Sequence, residues 1–209
     1  MSDLPMTFAD PGLTARLAAS LDIEGKIPRA LDALGPLAGR DVVLVDGDGG
    51  LRAAQLEELG ARVRIVSGAD PAALAVVPSA SADAVVACWT AFRADDGGWL
   101  AAADRALRPD GRLLVLHDYG RDDVSRLMGE RPEYGAWSRR DGWFQQHGFR
   151  IRVIHGFWTF DSIDEAGVFL AAAFGPVGET VAGTLRRPRL SYNVAIYHRS
   201  RGENGSSAA

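Results

Sequence analysis

Residues 42–50 read VVLVDGDGG, a run of branched apolar residues that enters a glycine turn carrying two carboxylates. Such a run suits a central parallel strand, because a strand covered on both faces needs no alternation. Glycine at the end of a strand lets the backbone approach a ligand closely, as nucleotide cofactors require. A pyrophosphate would meet Asp46 and Asp48 in this turn, and the third glycine of GxGxxG is replaced by Arg52. NAD and ATP are poor candidates. A cofactor with a positive centre and no phosphate suits the turn better.

The remaining chain alternates between strand and helix signals. Residues 11–36 read as two short helices, and residues 51–59 as a helix with Gly60 as its C-terminal cap. Strands are predicted at 41–45, 62–66, 84–89, 113–117, 149–154 and 192–198. Asp95 or Asp96 can cap a helix that runs to Leu107, and Pro109-Asp110-Gly111 turns the chain into the fourth strand. Helices are also predicted over 137–147, from Ser162 with its capping-box partner Glu165 to about Phe174, and over 179–185. Strands alternating with helices imply a parallel α/β sheet with right-handed crossovers. We expect a single domain over residues 1–199, with 1–40 as an N-terminal helical cap and 41–199 as the α/β core. Residues 200–209 read as a disordered tail.

Composition narrows the partners. A chain of 209 residues with 47% hydrophobic and 24% charged residues is long enough for one sizeable core. Its net charge of −4 supplies no basic field to recruit nucleic acid or an anionic membrane. The start, MSDLPMTFAD, has no basic or apolar leader character, and no apolar run has the length of a membrane span. With Cys88 as the only cysteine, a reducing cytoplasm is the expected location.

Four segments together carry a family resemblance: VVLVDGDGG, GARVRIVS, ADAVVACWTAF and ALRPDGRLLVLHDYG. The chain resembles the class I S-adenosylmethionine-dependent methyltransferases over roughly residues 25–199. The resemblance implies a Rossmann-like three-layer sandwich, mostly parallel, whose last strand, SYNVAIYHR, is antiparallel. It also implies S-adenosylmethionine as cofactor, whose sulfonium and ammonium suit the acidic turn. The departures are as informative. The acidic residue that usually precedes the first glycine by two is Val45, and Asp46 stands one place later. The carboxylate that holds the ribose is replaced by Ser67, and only Ser67 to Asp83 separate the second strand from the next apolar run. That interval is too short for the usual helix, third strand and adenine loop, so the third strand is missing or reduced. The alternation Arg62-Val63-Arg64-Ile65 supports this independently, because a strand with one face in water alternates and a fully covered one does not. Residues 62–66 should then form an edge strand, with arginines that discourage edge-to-edge pairing.

The resemblance implies that Asp46, Gly47, Asp48, Gly49, Gly50 and Ser67 bind the cofactor, with Trp89 and Thr90 lining the methyl channel. An aromatic face there would stabilise a sulfonium by about 0.5–2 kcal/mol. Asp46 and Asp48 equally suit a helix cap, and Cys88-Trp89-Thr90 equally suits core packing. His117-Asp118-Tyr119 is the best proton-handling cluster, with His117 and Tyr119 as the catalytic candidates, although a hydrogen-bonded strand end reads the same way. No ligand spacing supports a metal site at His117, Asp118 and His155. Lys26, the only lysine, is a candidate substrate contact, whereas Phe157, Trp158 and Phe160 read as core or interface. The leading expectation is methyl transfer to an unidentified small molecule. The alternative is a non-catalytic module of the same fold that binds a partner or forms a homodimer.

Overall fold

A computed structural model describes residues 4–46, 50–67, 70–93, 97–129, 131 and 136–202. Six strands form one sheet: β1 (Asp41–Val45), β2 (Arg62–Val66), β3 (Ala82–Cys88), β4 (Leu107–Asp118), β5 (Arg150–Thr159) and β6 (Arg189–Ser200). Their order is β2-β1-β3-β4-β6-β5. The pairs β1–β2, β1–β3 and β3–β4 are parallel, while β6 runs antiparallel to both β4 and β5.

Helices cover both faces. On one side α1 (Pro11–Ser20), α2 (Lys26–Leu34), α3 (Leu51–Glu58) and α7 (Ile163–Ala182) enclose Leu44, Val86, Leu114, Leu116 and Ile196. On the other, α4 (Gly97–Ala106) and α6 (Trp143–Gln146) enclose Val43, Val85, Val115 and Ala195. The short α5 (Asp123–Leu127) follows β4 and carries a reciprocal Asp122–Ser125 cap. No helix among the described residues is long and apolar enough to cross a membrane.

The stretch between β2 and β3 holds a 3-10 turn, Pro71–Val76, and no strand among its described residues. β2 is therefore an edge strand, with β1 as its only described partner. Arg62 and Arg64 are exposed, as their alternation predicts. Ile65 on the opposite face is also 43% exposed, whereas Val63 packs on the cluster that holds Leu56.

Three boundaries differ from the sequence expectation. The Pro109–Gly111 turn lies inside β4 as a bulge: Ala82 pairs with Leu107 and Ala84 with Arg112. The break expected after Phe174 is present, by contrast: Gly175 has non-helical dihedrals (φ 56°, ψ −137°) just before Pro176 and divides α7 into two helical segments. Ser162 accepts from the Glu165 amide, while the Glu165 carboxylate accepts from the Asp161 amide. The helix expected over 137–147 shrinks to α6. A Cβ on Gly142 would lie 2.4 Å from the Ala136 carbonyl oxygen, an approach that needs glycine and breaks the helix. Ser200, expected to open the tail, instead ends β6, and residues 203–209 lie outside the described residues.

Candidate functional site

In open α/β sheets, ligands bind beyond the carboxyl ends of the strands where the strand order reverses. Here β1 sends the chain to β2 on one side and lies beside β3 on the other, so the crevice is above β1 and β3. Asp46 leaves β1 in a left-handed conformation (φ 57°), is 4% exposed, and donates its amide to the Val66 carbonyl at 2.7 Å. Gly50 (φ 74°) opens α3, and a Cβ there would meet nothing within 4 Å among the described residues. Gly47, Asp48 and Gly49 lie outside the described residues. Ser67 is exposed at the end of the edge strand β2.

Beyond β3, Trp89 also turns left-handed (φ 58°) and is 2% exposed. Its indole N–H donates to Asp118 at 2.9 Å, and the Arg52 guanidinium lies 5.3 Å from its ring centroid. A cation thus already occupies one neighbourhood of the ring that was expected to face a sulfonium. The Thr90 hydroxyl oxygen is buried, with no hydrogen-bond partner among the described residues. Asp118, which ends β4, accepts from the Trp89 indole and the Tyr192 phenol. Burial pushes the Asp118 carboxyl up from its ordinary value, against the pull of those hydrogen bonds and of Arg93. Burial and the Asp118 charge push the Tyr192 phenol well above its ordinary range.

His117 and Tyr119 lie on the opposite face from Asp118, since neighbours on a strand project to opposite sides. His117 is 0% exposed, with its ring 4.5 Å from Trp137 and 6.0 Å from Phe144. Burial, assisted by the Arg93 charge, pushes its pKa down to about 3, outweighing the Ala91 and Phe92 backbone, which favours the protonated ring. Neither ring nitrogen has a fully formed hydrogen bond. The imidazole is neutral at pH 7 and enclosed. Tyr119 is half-buried against the same cluster, donates its amide to the Asn193 carbonyl at 2.9 Å, and carries the Arg121 guanidinium 5.8 Å from its ring.

Other singled-out residues serve the scaffold. Lys26 pairs with Glu24 at 2.5 Å and donates to the His155 carbonyl at 3.0 Å. His155 Nδ1 lies 2.8 Å from the Asn193 side-chain oxygen, while Trp158 and Phe160 are buried in the core. Two features escaped the sequence reading: the Asp118–Tyr192 contact across β4 and β6, and Arg52 under Trp89. Both join residues far apart in the chain.

Six strands in this order, with the antiparallel β6 inserted between β4 and β5, define the Rossmann-like methyltransferase fold. No family model matches the sequence, and no curated protein matches it. Among solved structures, the chain is similar to one from Anaeromyxobacter dehalogenans assigned provisionally as a type II methyltransferase. That match has a TM-score of 0.55 at 18% identity and covers 84% of this chain and 95% of the other. A structure assigned provisionally as a methyltransferase from Bacillus halodurans matches with a TM-score of 0.48 at 12% identity, over 83% of this chain and 98% of that one. Geranyl diphosphate C-methyltransferase from Streptomyces coelicolor, in complex with Mg2+, geranyl diphosphate and S-adenosyl-L-homocysteine, gives a TM-score of 0.46 at 15% identity, over 86% and 79%. At 18% identity the likeness to the first of these supports the fold alone, and function has to be argued from the site.

Proposed function

We propose that this protein binds S-adenosylmethionine above β1 and β3 and transfers its methyl group to a small-molecule acceptor. The observation that carries the proposal is where the backbone is strained. Six described residues other than glycine have positive φ, and four of them, Asp46, Trp89, Phe92 and Arg121, follow the carboxyl ends of β1, β3 and β4. Each left-handed residue costs about 1–2 kcal/mol, and such outliers persist where the surrounding structure holds a functional geometry.

The residues fit the cofactor best at its amino-acid end. Asp46 and the approach over Gly50 would hold the ammonium and carboxylate there, and Ser67 would lie toward the ribose, offering a hydroxyl where relatives offer a charge. The cofactor supplies a methyl group on a sulfonium, poised for in-line displacement. The chain's work is then to align donor and acceptor and to keep water out. Trp89, fixed by Asp118 and Arg52, would line the channel through which the methyl group passes. Enclosed behind Trp137 and Phe144, His117 would back the acceptor side without reaching the acceptor as a proton carrier, with Tyr119 beside it.

The exposed Ser67 and the sealed Trp89 favour a second reading, a non-catalytic module of the same fold that has lost the cofactor. Calorimetric titration with S-adenosylmethionine and its demethylated product separates the two. Hydrogen bonds to charged groups contribute about 1.5–3 kcal/mol, so Asp46→Ala should weaken binding about 10- to 150-fold while melting stays cooperative. If the unmutated protein shows neither heat nor thermal shift at millimolar cofactor, the enzyme reading fails and the module reading replaces it.

A further inference from the structure

A cavity of about 330 Å³ lies between the turn that follows β3 and the segment leading into α6. Its walls include the side chains of Phe92, Arg93, Trp137, Arg139, Trp143 and Phe144. Ligand pockets run from about 300 to 1,000 Å³, so this one suits a molecule of one or two rings.

The cavity is built into the fold. Phe144 is 0% exposed and stacks on Tyr197 with centroids 3.9 Å apart, which anchors one wall to β6. Phe92 is 2% exposed, and its ring lies 6.5 Å from Trp143. The close approach of Gly142 to the Ala136 carbonyl folds the segment back on itself and sets the shape of the opposite wall. Behind Trp137 and Phe144 sits His117, a fully buried polar side chain whose ring nitrogens make no full hydrogen bond among the described residues.

Among the described lining residues, two arginines, Arg93 and Arg139, face one acid, Asp141. Arg139 and Asp141 approach to 3.7 Å, but both side chains are mostly exposed (67% and 77%), so the pair holds neither firmly. Arg93 is pinned by a hydrogen bond from its Nε to the Trp89 carbonyl at 2.5 Å, at the strand end itself. Guanidinium groups match carboxylates in plane, and aromatic walls match a flat ring.

We propose that this cavity binds a planar aromatic acid, its ring among Trp137, Trp143 and Phe144 and its anionic group toward Arg93 and Arg139. Resting on the methyl-transfer reading, this molecule is the methyl acceptor: a lone pair on one of its atoms forms the new bond to the methyl carbon as the carbon–sulfonium bond breaks, S-adenosylhomocysteine leaves, and any proton on the attacking atom passes to solvent. An aliphatic acid would forgo the ring contacts, and a neutral arene would leave the arginines without an anion.

The test is calorimetric titration of the full chain with para-hydroxybenzoate, phenol and cyclohexanecarboxylate as probes. Para-hydroxybenzoate should bind saturably and the other two at least about 10-fold more weakly, as loss of a charge-assisted hydrogen bond or a ring contact implies. Arg139→Gln, at an exposed side chain, should weaken it about 10-fold with unchanged melting. Trp137→Leu should weaken it too, and if that variant does not fold, Arg139→Gln decides. No saturable heat at millimolar probe, equal binding of all three probes, or binding untouched by Arg139→Gln overturns the proposal. A parallel titration with S-adenosylmethionine keeps the two readings apart. Aromatic-acid binding without cofactor binding leaves the cavity standing and removes its acceptor role. Cofactor binding without aromatic-acid binding removes the cavity proposal alone.

Discussion

His117 and Asp118 are neighbours on β4, both sealed from solvent, and both pushed by burial toward their neutral forms. Their surroundings differ completely. Asp118 receives the Trp89 indole and Tyr192 phenol, whereas His117 receives aromatic rings and no full hydrogen bond. One face of the strand end thus spends its polarity on structure, while the other keeps a polar group in reserve beside an aromatic cavity. The contrast separates two uses of a buried titratable group. Asp118 ties β3, β4 and β6 together, and His117 has no structural duty that apolar packing could not perform.

The comparison breaks most readily at Asp118. Asp118→Leu leaves two buried donors without an acceptor, at about 1–3 kcal/mol each, so urea unfolding should show a loss of roughly 2–6 kcal/mol. A loss below about 1 kcal/mol would place the Trp89 and Tyr192 contacts outside the structural core of the site.

The pH dependence sharpens the contrast next. With a folded pKa of about 3 against 6.5 unfolded, His117 binds fewer protons in the native state across that window. Its contribution is therefore fully present above pH 6.5 and is lost as pH falls toward 3. By pH 5 the loss amounts to about 2 kcal/mol. Asp118, raised by burial, has the opposite sign: stability declines as pH climbs from its unfolded toward its folded pKa. His117→Phe should be neutral or stabilising at pH 7 and should remove the acid loss, exposing the Asp118 slope in chemical denaturation measured between pH 4 and 7. An unchanged slope in the variant would refute the buried neutral histidine.

Gly142→Ala tests the cavity side. Its Cβ would meet the Ala136 carbonyl, and forced overpacking costs about 1–3 kcal/mol, readable by thermal melting. The smallest effect is expected at Arg93, whose charge reaches both neighbours and lowers both pKa values. Arg93→Gln should let both rise, followed by NMR titration of the His117 ring and the Asp118 carboxyl. Movement of one group alone would show that Arg93 serves a single face.

Much of the fold was legible because it is written in local periodicity. Residues 41–45 form β1 as their apolar run predicted, and Arg62–Val66 forms the edge strand that its alternating arginines implied. The shortened interval before β3 holds no strand among its described residues, as its length against the family pattern and the alternation in 62–65 together anticipated. The site was less legible. His117-Asp118-Tyr119 reads as one cluster along the chain, but a strand divides it between two faces. Trp137, Arg139, Trp143 and Phe144 suggested only an amphipathic helix, because nothing local marks the close approach of Gly142 to Ala136 that breaks it.

The sequence by itself determined the alternating α/β order and the open edge at β2, since each follows from spacing within a few residues or from the length between two runs, whereas the antiparallel final strand was implied by the family resemblance. Only the tertiary structure decided which polar groups meet. Asp118 finds Tyr192 across 74 positions, and Phe92 joins Trp143 in one cavity wall although α4 and β4 lie between them in the chain. Contacts of that kind depend on how strands are ordered and faces are covered. Burial then sets the charge of His117 and Asp118, because desolvation is a property of the packed surroundings and not of the residue itself.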